Sequence, residues 1–360
     1  MMLKTFFKRL AAGFSIFTAT ASAAYDNSRF PPFDTVKAGR GFQDISIHPN
    51  GEDWLISECT SNITGYPSCY LFTYNLRDHS YKRFSLPLGY SYSDGKFSPS
   101  GQKILAIRQP APKANNHEEI MKSYAQGEIV IMNRDGSELK VLPLRPNRVM
   151  SPVMSPDETR VAYLVAESDK PYVKSVSFAF FEIWEYNLTS RENALFAGPM
   201  RFYHATTLNY LSNSEILAGA LAPESIASNE YGDYFNKFQG SEIFRISRGM
   251  RYAPEPVFYD LPYARYPSAD AHGNVFFETQ PQKIGFSLTQ KSSSGHTKIW
   301  RAPLKNKCVV SKYLADPSGS YVSFIYGGDP IASKDGRHAL GYFDVQKETW
   351  HPVYPPPLSQ

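Results

Sequence analysis

Apolar residues along this chain come in short runs broken by polar, turn-forming clusters, and six of these clusters follow one recipe. An apolar run leads into a tight Pro/Asx/Ser/Gly turn, and a second apolar run leads out. The turns centre on Pro49, Pro99, Pro156, Ser212, Ala271 and Pro317, at steps of 50, 57, 56, 59 and 46 residues. Pro presets φ for the first turn position, Asp, Asn or Ser bonds its own backbone, and Gly supplies a positive φ. The flanking runs are rich in β-branched and aromatic residues, so both read as strands.

A second signal follows each turn: an apolar run that often closes on Asn or Asp, as in Tyr70 to Asn75, Ile129 to Asn133, Ile183 to Asn187 and Leu340 to Asp344. A turn and one more strand come after it. Each unit therefore reads as strand A, Pro turn, strand B, variable loop, strand C, turn, strand D. The step is too long for a solenoid repeat and suits one four-stranded propeller blade. The predicted fold is all-β, a six-bladed β-propeller over residues 41–354, with strand A innermost.

Phe97-Ser98-Pro99-Ser100-Gly101 and Met154-Ser155-Pro156-Asp157 resemble the WD-like repeat of TolB-type six-bladed propellers. The same repeat builds the gating propeller of prolyl-oligopeptidase-like peptidases. The resemblance covers roughly residues 40–354 and implies a binding or envelope-associated scaffolding role. The chain lacks room for the extra N-terminal domain of TolB. It has no G-x-S-x-G, so the resemblance does not extend to a peptidase catalytic domain.

The ends and the cysteines bear on the compartment. Lys4, Lys8 and Arg9 precede a short apolar stretch and the small-residue site Ala21-Ser22-Ala23, the pattern of an export signal over residues 1–23. Residues 24–40 then lead into the ring, and 355–360 form a Pro-rich tail. Export predicts a periplasmic or secreted protein without stable membrane insertion after cleavage. Cys59 and Cys69 flank the B–C loop of the first blade and are the expected disulfide, leaving Cys308 over. Losing the three basic residues of the leader takes the net charge from +4 to +1, which does not suit nucleic-acid binding.

In a blade the A–B and C–D turns share one face, and the B–C and D–A connections share the other. The A–B turns repeat one recipe, whereas the B–C loops differ in length and carry aromatics. Tyr172, Phe180, Tyr231, Tyr234 and Phe235 are the binding candidates there. Aligning the copies on their turns puts Gln43, Asp44, Asp94, Arg148, His204, Arg265 and Lys312 near the channel mouth. That mixture suits an anionic or carbohydrate ligand, and equally a solvated rim. The eight histidines are scattered, with no metal-binding spacing, and no Gly-rich phosphate loop is present. No cofactor, metal or catalytic set is expected. The expected function is binding of a protein or cell-envelope component through the B–C loop face. The alternatives are a polysaccharide-active lyase or hydrolase working at the channel mouth, and an accessory subunit of a periplasmic redox or transport complex.

Overall fold

The computed structural model describes residues 41–61, 67–113, 117–144, 149–167, 179–202, 204–221, 241–251, 257, 264–279, 287–302, 308–328 and 338–353. It is a six-bladed propeller. Blade 1 holds β1 (Phe42–Ile47), β2 (Asp53–Ser61), β3 (Pro67–Asn75) and β4 (Tyr81–Arg83). Blade 2 holds β5 (Tyr90–Phe97), β6 (Lys103–Pro110), β7 (Glu128–Asn133) and β8 (Lys140–Val141), with helix α1 (His117–Ala125) in its B–C loop. Blade 3 holds β9 (Val149–Met154), β10 (Arg160–Glu167), β11 (Ala179–Asn187) and β12 (Asn193–Phe202). Blade 4 holds β13 (His204–Ser212), β14 (Glu215–Leu221) and β15 (Ser241–Ser247). The Val257 amide donates to the Ile243 carbonyl at 2.7 Å on the open edge of β15, where a fourth strand runs in the other blades. Blade 5 holds β16 (Arg265–Ala269), β17 (Val275–Thr279), β18 (Ser287–Lys291) and β19 (Thr297–Arg301). Blade 6 holds β20 (Cys308–Ala315), β21 (Tyr321–Gly328), β22 (His338–Asp344) and β23 (Thr349–Val353).

Every sheet is antiparallel and built from consecutive strands. The first strands touch one another in the order β1, β5, β9, β13, β16, β20 and back to β1, so strand A lines the channel and the ring closes.

The turns work as their residues require. In five blades the amide of the fourth turn residue donates to the carbonyl of the first: Gly51 to His48, Gly101 to Ser98, Glu158 to Ser155, Gly273 to Asp270 and Gly319 to Asp316. That fourth residue takes φ between 56° and 78° in all five, the left-handed region that Gly tolerates best. Blade 4 departs from the recipe: Ser212 pairs directly with Glu215 in a tighter hairpin, which explains its weaker sequence signal. The Asn and Asp residues that close strand C cap the next turn. Asn75 Oδ1 accepts from the Arg77 and Asp78 amides, Asn187 Oδ1 from Thr189 and Ser190, and Asp344 Oδ1 from Gln346 and Lys347.

The apolar core lies between blades. Leu55 and Leu71 of blade 1 pack with Tyr92 and Ile104 of blade 2, and Phe181 and Phe196 of blade 3 pack with Leu208 and Phe244 of blade 4. The seam between the first and last blades is made by side chains. Trp54, Tyr74 and Ile56 pack with Tyr321, Ile325 and Leu340. The Trp54 indole N–H donates to the Tyr321 hydroxyl at 2.9 Å, and that hydroxyl donates to the Gly51 carbonyl. A disulfide joins Cys59 to Cys69, which face each other across β2 and β3. The Cys308 side chain lies outside the described residues.

Candidate functional site

The inner strands share one irregularity. Each of the six breaks register with its partner a few residues before the A–B turn, at Phe42/Asp44, Ser93/Lys96, Ala205/Thr207, Arg265/Ser268 and Val310/Lys312, and in β9 between Met150 and Val153. A β-bulge re-aims the side chains around it. Asp94, Ser151 and Tyr266 take φ near +50° at these bulges. Counting back five residues from each turn centre gives Asp44, Asp94, Ser151, Thr207, Tyr266 and Lys312.

Three of these, with one neighbour, form a charged cluster. The Lys312 ammonium pairs with Asp44 and stands 3.6 Å from Asp94. Asp44 Oδ2 also accepts the Asp94 backbone N–H at 2.9 Å, which ties β1 to β5. Lys96, from the same strand as Asp94, sits 3.9 Å from that carboxylate and reaches the Leu208 carbonyl of blade 4 at 3.4 Å. The four side chains keep only 14–16% of their surface, so they are nearly buried. Burial pushes the Asp44 carboxyl up, yet Lys312 outweighs it and holds the group below its ordinary value. Burial pushes Lys312 down, and Asp44 and Asp94 more than reverse that. Lys96 ends below its ordinary value, because burial and the second ammonium exceed the help from Asp94.

The structure thus brings together Asp44, Asp94 and Lys312. Gln43 lies beside them on β1 with its side chain exposed. His204 and Arg265 begin β13 and β16, and their side chains, like all of Arg148, lie outside the described residues. Tyr172, Tyr231, Tyr234 and Phe235 also lie outside them. Phe180 is in β11 with its side chain outside them. Sequence reasoning missed Lys96. No sequence signal marked it, because the bulge between Ser93 and Lys96 breaks the two-residue alternation of β5.

The opposite face is used for fastening. A Cβ on Gly101 would lie 2.0 Å from His48 Nε2 of the previous blade, and one on Gly319 would lie 2.5 Å from Asp270 Oδ2. The Ser100 amide donates to Glu158 at 2.5 Å, and the Ala271 amide donates to the Pro317 carbonyl at 2.9 Å. Arg134 pairs with Asp53 across blades 1 and 2. Arg248 of blade 4 grips Glu185 of blade 3, which also accepts from the Tyr210 hydroxyl at 2.6 Å. Among the described residues no group of three or more His, Cys, Asp and Glu is placed to hold a metal, and no helix is long and apolar enough to cross a membrane.

Solved structures share this fold at low identity. The β-propeller domain of the Trilobed protease from Pyrococcus furiosus is 14% identical with a TM-score of 0.50, over 88% of this chain and 83% of that one. Oligogalacturonate lyase from Vibrio parahaemolyticus is 9% identical with a TM-score of 0.52, over 89% and 79%. Pyrococcus horikoshii acylaminoacyl peptidase is 12% identical with a TM-score of 0.51, over 89% of this chain and 46% of the peptidase, so the chain spans less than half of that enzyme. No protein-family model matches the chain, and no curated protein matches it. The likeness is one of fold.

Proposed function

We propose that this chain is an exported β-propeller that binds a protein or cell-envelope component through its B–C loop face and the channel opening there. The observation that carries this is the division of labour between the faces. The A–B turn face is spent on blade-to-blade fastening through His48, Ser100, Glu158, Glu185 and Arg248. The B–C connections differ from blade to blade, from the short link between β2 and β3 to the helix-bearing link between β6 and β7. Variable loops on a fixed frame are where binding chemistry is usually grafted. A TolB-like scaffolding role, suggested by the Ser-Pro turns, fits this division. Export rests on the leader pattern and on the Cys59–Cys69 bond, which persists in oxidising compartments.

Binding is favoured over acid–base chemistry at Asp44 and Lys312, because their mutual pairing shifts both away from neutral pH. Lys96 favours a second reading. Burial and the Lys312 ammonium hold Lys96 below its ordinary value, the direction in which a general base is tuned, and a lyase acting on a polysaccharide needs a base. Affinity capture from a periplasmic extract, with mass spectrometry, tests the first reading; a reproducible partner lost on mutation of the loop face is the expected result. Formation of unsaturated sugar products, lost in Lys96→Met, would move the assignment to the second.

A further inference from the structure

Three of the Pro-type turns interlock with the next turn around the ring in one way. The first turn residue of one blade lies against the glycine in the fourth turn position of the next. His48 of blade 1 lies against Gly101 of blade 2, Asp270 of blade 5 against Gly319 of blade 6, and Asp316 of blade 6 against Gly51 of blade 1. Blades 2 and 3 carry Ser98 and Ser155 in the first position. Of the side-chain types used there, imidazole alone ordinarily changes charge between pH 5 and 8.

The surroundings of His48 suit a neutral ring. Nδ1 accepts the Asn50 backbone N–H at 3.1 Å, so the ring proton belongs on Nε2. A second proton has to go on Nδ1, where it meets that N–H donor against donor. The ring has little room to swing aside. Phe97 of blade 2 packs against it edge to face with centroids 5.0 Å apart, and Gly101 closes the Nε2 side. Two charged groups bear on it. Asp53 of β2 favours a charged ring, and Arg134, from the C–D turn of blade 2, opposes one. The Asp53 carboxylate is already engaged by Arg134, Asn50 and Asn75. What β5 and the blade 2 turn present, Phe97 and Gly101, is uncharged. Burial, and Arg134 after it, hold His48 below its ordinary value.

We propose that His48 makes the junction of blades 1 and 2 a pH-sensitive clasp, closed around the neutral ring and loosened when the ring takes up a proton. Protonation breaks the Asn50 bond and puts a charge between Phe97 and Gly101, where little water reaches it. The clasps at Asp270 and Asp316 contain no imidazole and should hold through the same pH range. Mild acid then leaves the ring with one joint weaker than these two. That joint includes β1 and β5, which carry Asp44 and Asp94 of the channel cluster. As pH falls, the unfolded chain takes up this proton before the folded one. The stability from His48 is therefore complete above its ordinary value of 6.5 and is lost as pH falls through the lowered value.

The test pairs melting curves of the full chain and of His48→Ser, at pH 8 and pH 5, with amide hydrogen exchange of the wild type at the same two values. His48→Ser gives blade 1 the residue that blades 2 and 3 use. Burial also holds His338 and His351 of blade 6 below their ordinary value, and the variant keeps both, so the difference between the two proteins isolates His48. From pH 8 to pH 5 the wild type should lose at least about 2 °C more in melting temperature than the variant. Protection of the Asn50 and Gly101 amides, corrected for the intrinsic pH dependence of exchange, should fall about fivefold or more relative to Gly273 and Gly319. Parallel melting profiles, or equal changes at all four amides, would overturn the proposal. If His48→Ser does not fold, the exchange comparison within the wild type decides alone.

Discussion

Two glycines show how much a single Cβ weighs in this molecule. Gly89 and Gly101 both adopt positive φ, 81° and 75°. A Cβ on Gly89 would meet nothing within 4 Å, whereas one on Gly101 would collide with the His48 ring. Gly89→Ala should therefore cost only the left-handed backbone penalty of about 1–2 kcal/mol. Gly101→Ala should cost distinctly more, because His48, buried at 6% exposure, has little room to retreat. Urea denaturation of the two variants measures the difference, and equal losses would mean that the turns do not interlock. The lysines of the channel make a second pair. Lys312→Met takes the paired cation from Asp44 and leaves Asp94 only Lys96 at 3.9 Å, and breaking a buried pair costs about 3–5 kcal/mol. Lys96→Met removes a cation that burial already disfavours and leaves Asp94 beside Lys312, so its melting temperature should stay level or rise. The pH dependence has a definite sign. Asp44 is held below its unfolded value, so its contribution is present above about pH 4 and is lost as pH falls through the lowered value. Lys312 is held above its unfolded value, so its contribution is complete below about pH 10 and is lost as pH rises through the raised value. Lys96 runs the other way, and stability should gain from it as pH rises through its lowered value. A wild-type and Lys312→Met stability profile from pH 3 to 10 should separate at neutral pH and converge at the acid end.

At the scale of strands and turns, the sequence is most legible where physics is local. Pro99, Ser98 and Gly101 act within one turn, and Asn75 and Asn187 cap the turn that they begin. Such residues can be read without knowing the fold. Lys96 and Thr207 could not be read in this way, because their setting depends on a bulge and on a blade about 110 residues distant. The Cys59–Cys69 pair was readable because it too is local, ten residues apart across one hairpin. The Cys59 amide donates to the Gly41 carbonyl and the Cys69 amide to Ser91 Oγ of blade 2, so the hairpin is anchored on both sides. Replacing both cysteines with Ala should lower unfolding free energy by about 2–3 kcal/mol. Denaturation of the double variant beside oxidised wild type checks this; a difference near zero would show that the strand ladder alone holds the loop.

For the whole ring, closure is the least local feature. Trp54 and Tyr321 stand 267 residues apart, and no pattern within a blade announces that they meet. The same holds for Lys312, which reaches from the last blade past Asp44 to Asp94 of the second. The fold was legible because it repeats, and aligning the copies on their turns also put Asp44, Asp94 and Lys312 at one end of the ring; the seam and the pairing of those charges were not legible, because they arise only when the repeat closes. That closure leaves one face fastened blade to blade and the other carrying long, dissimilar loops. The central claim, that function sits on the loop face, is tested most directly by comparing partner capture by two variants of equal expression. Tyr231, Tyr234 and Phe235 all changed to Ser should lose capture while keeping the wild-type melting temperature. Gly101→Ala should lower the melting temperature and capture normally below it. Normal capture by the loop variant, with capture abolished by a charge reversal on the Pro-turn face, would contradict the account.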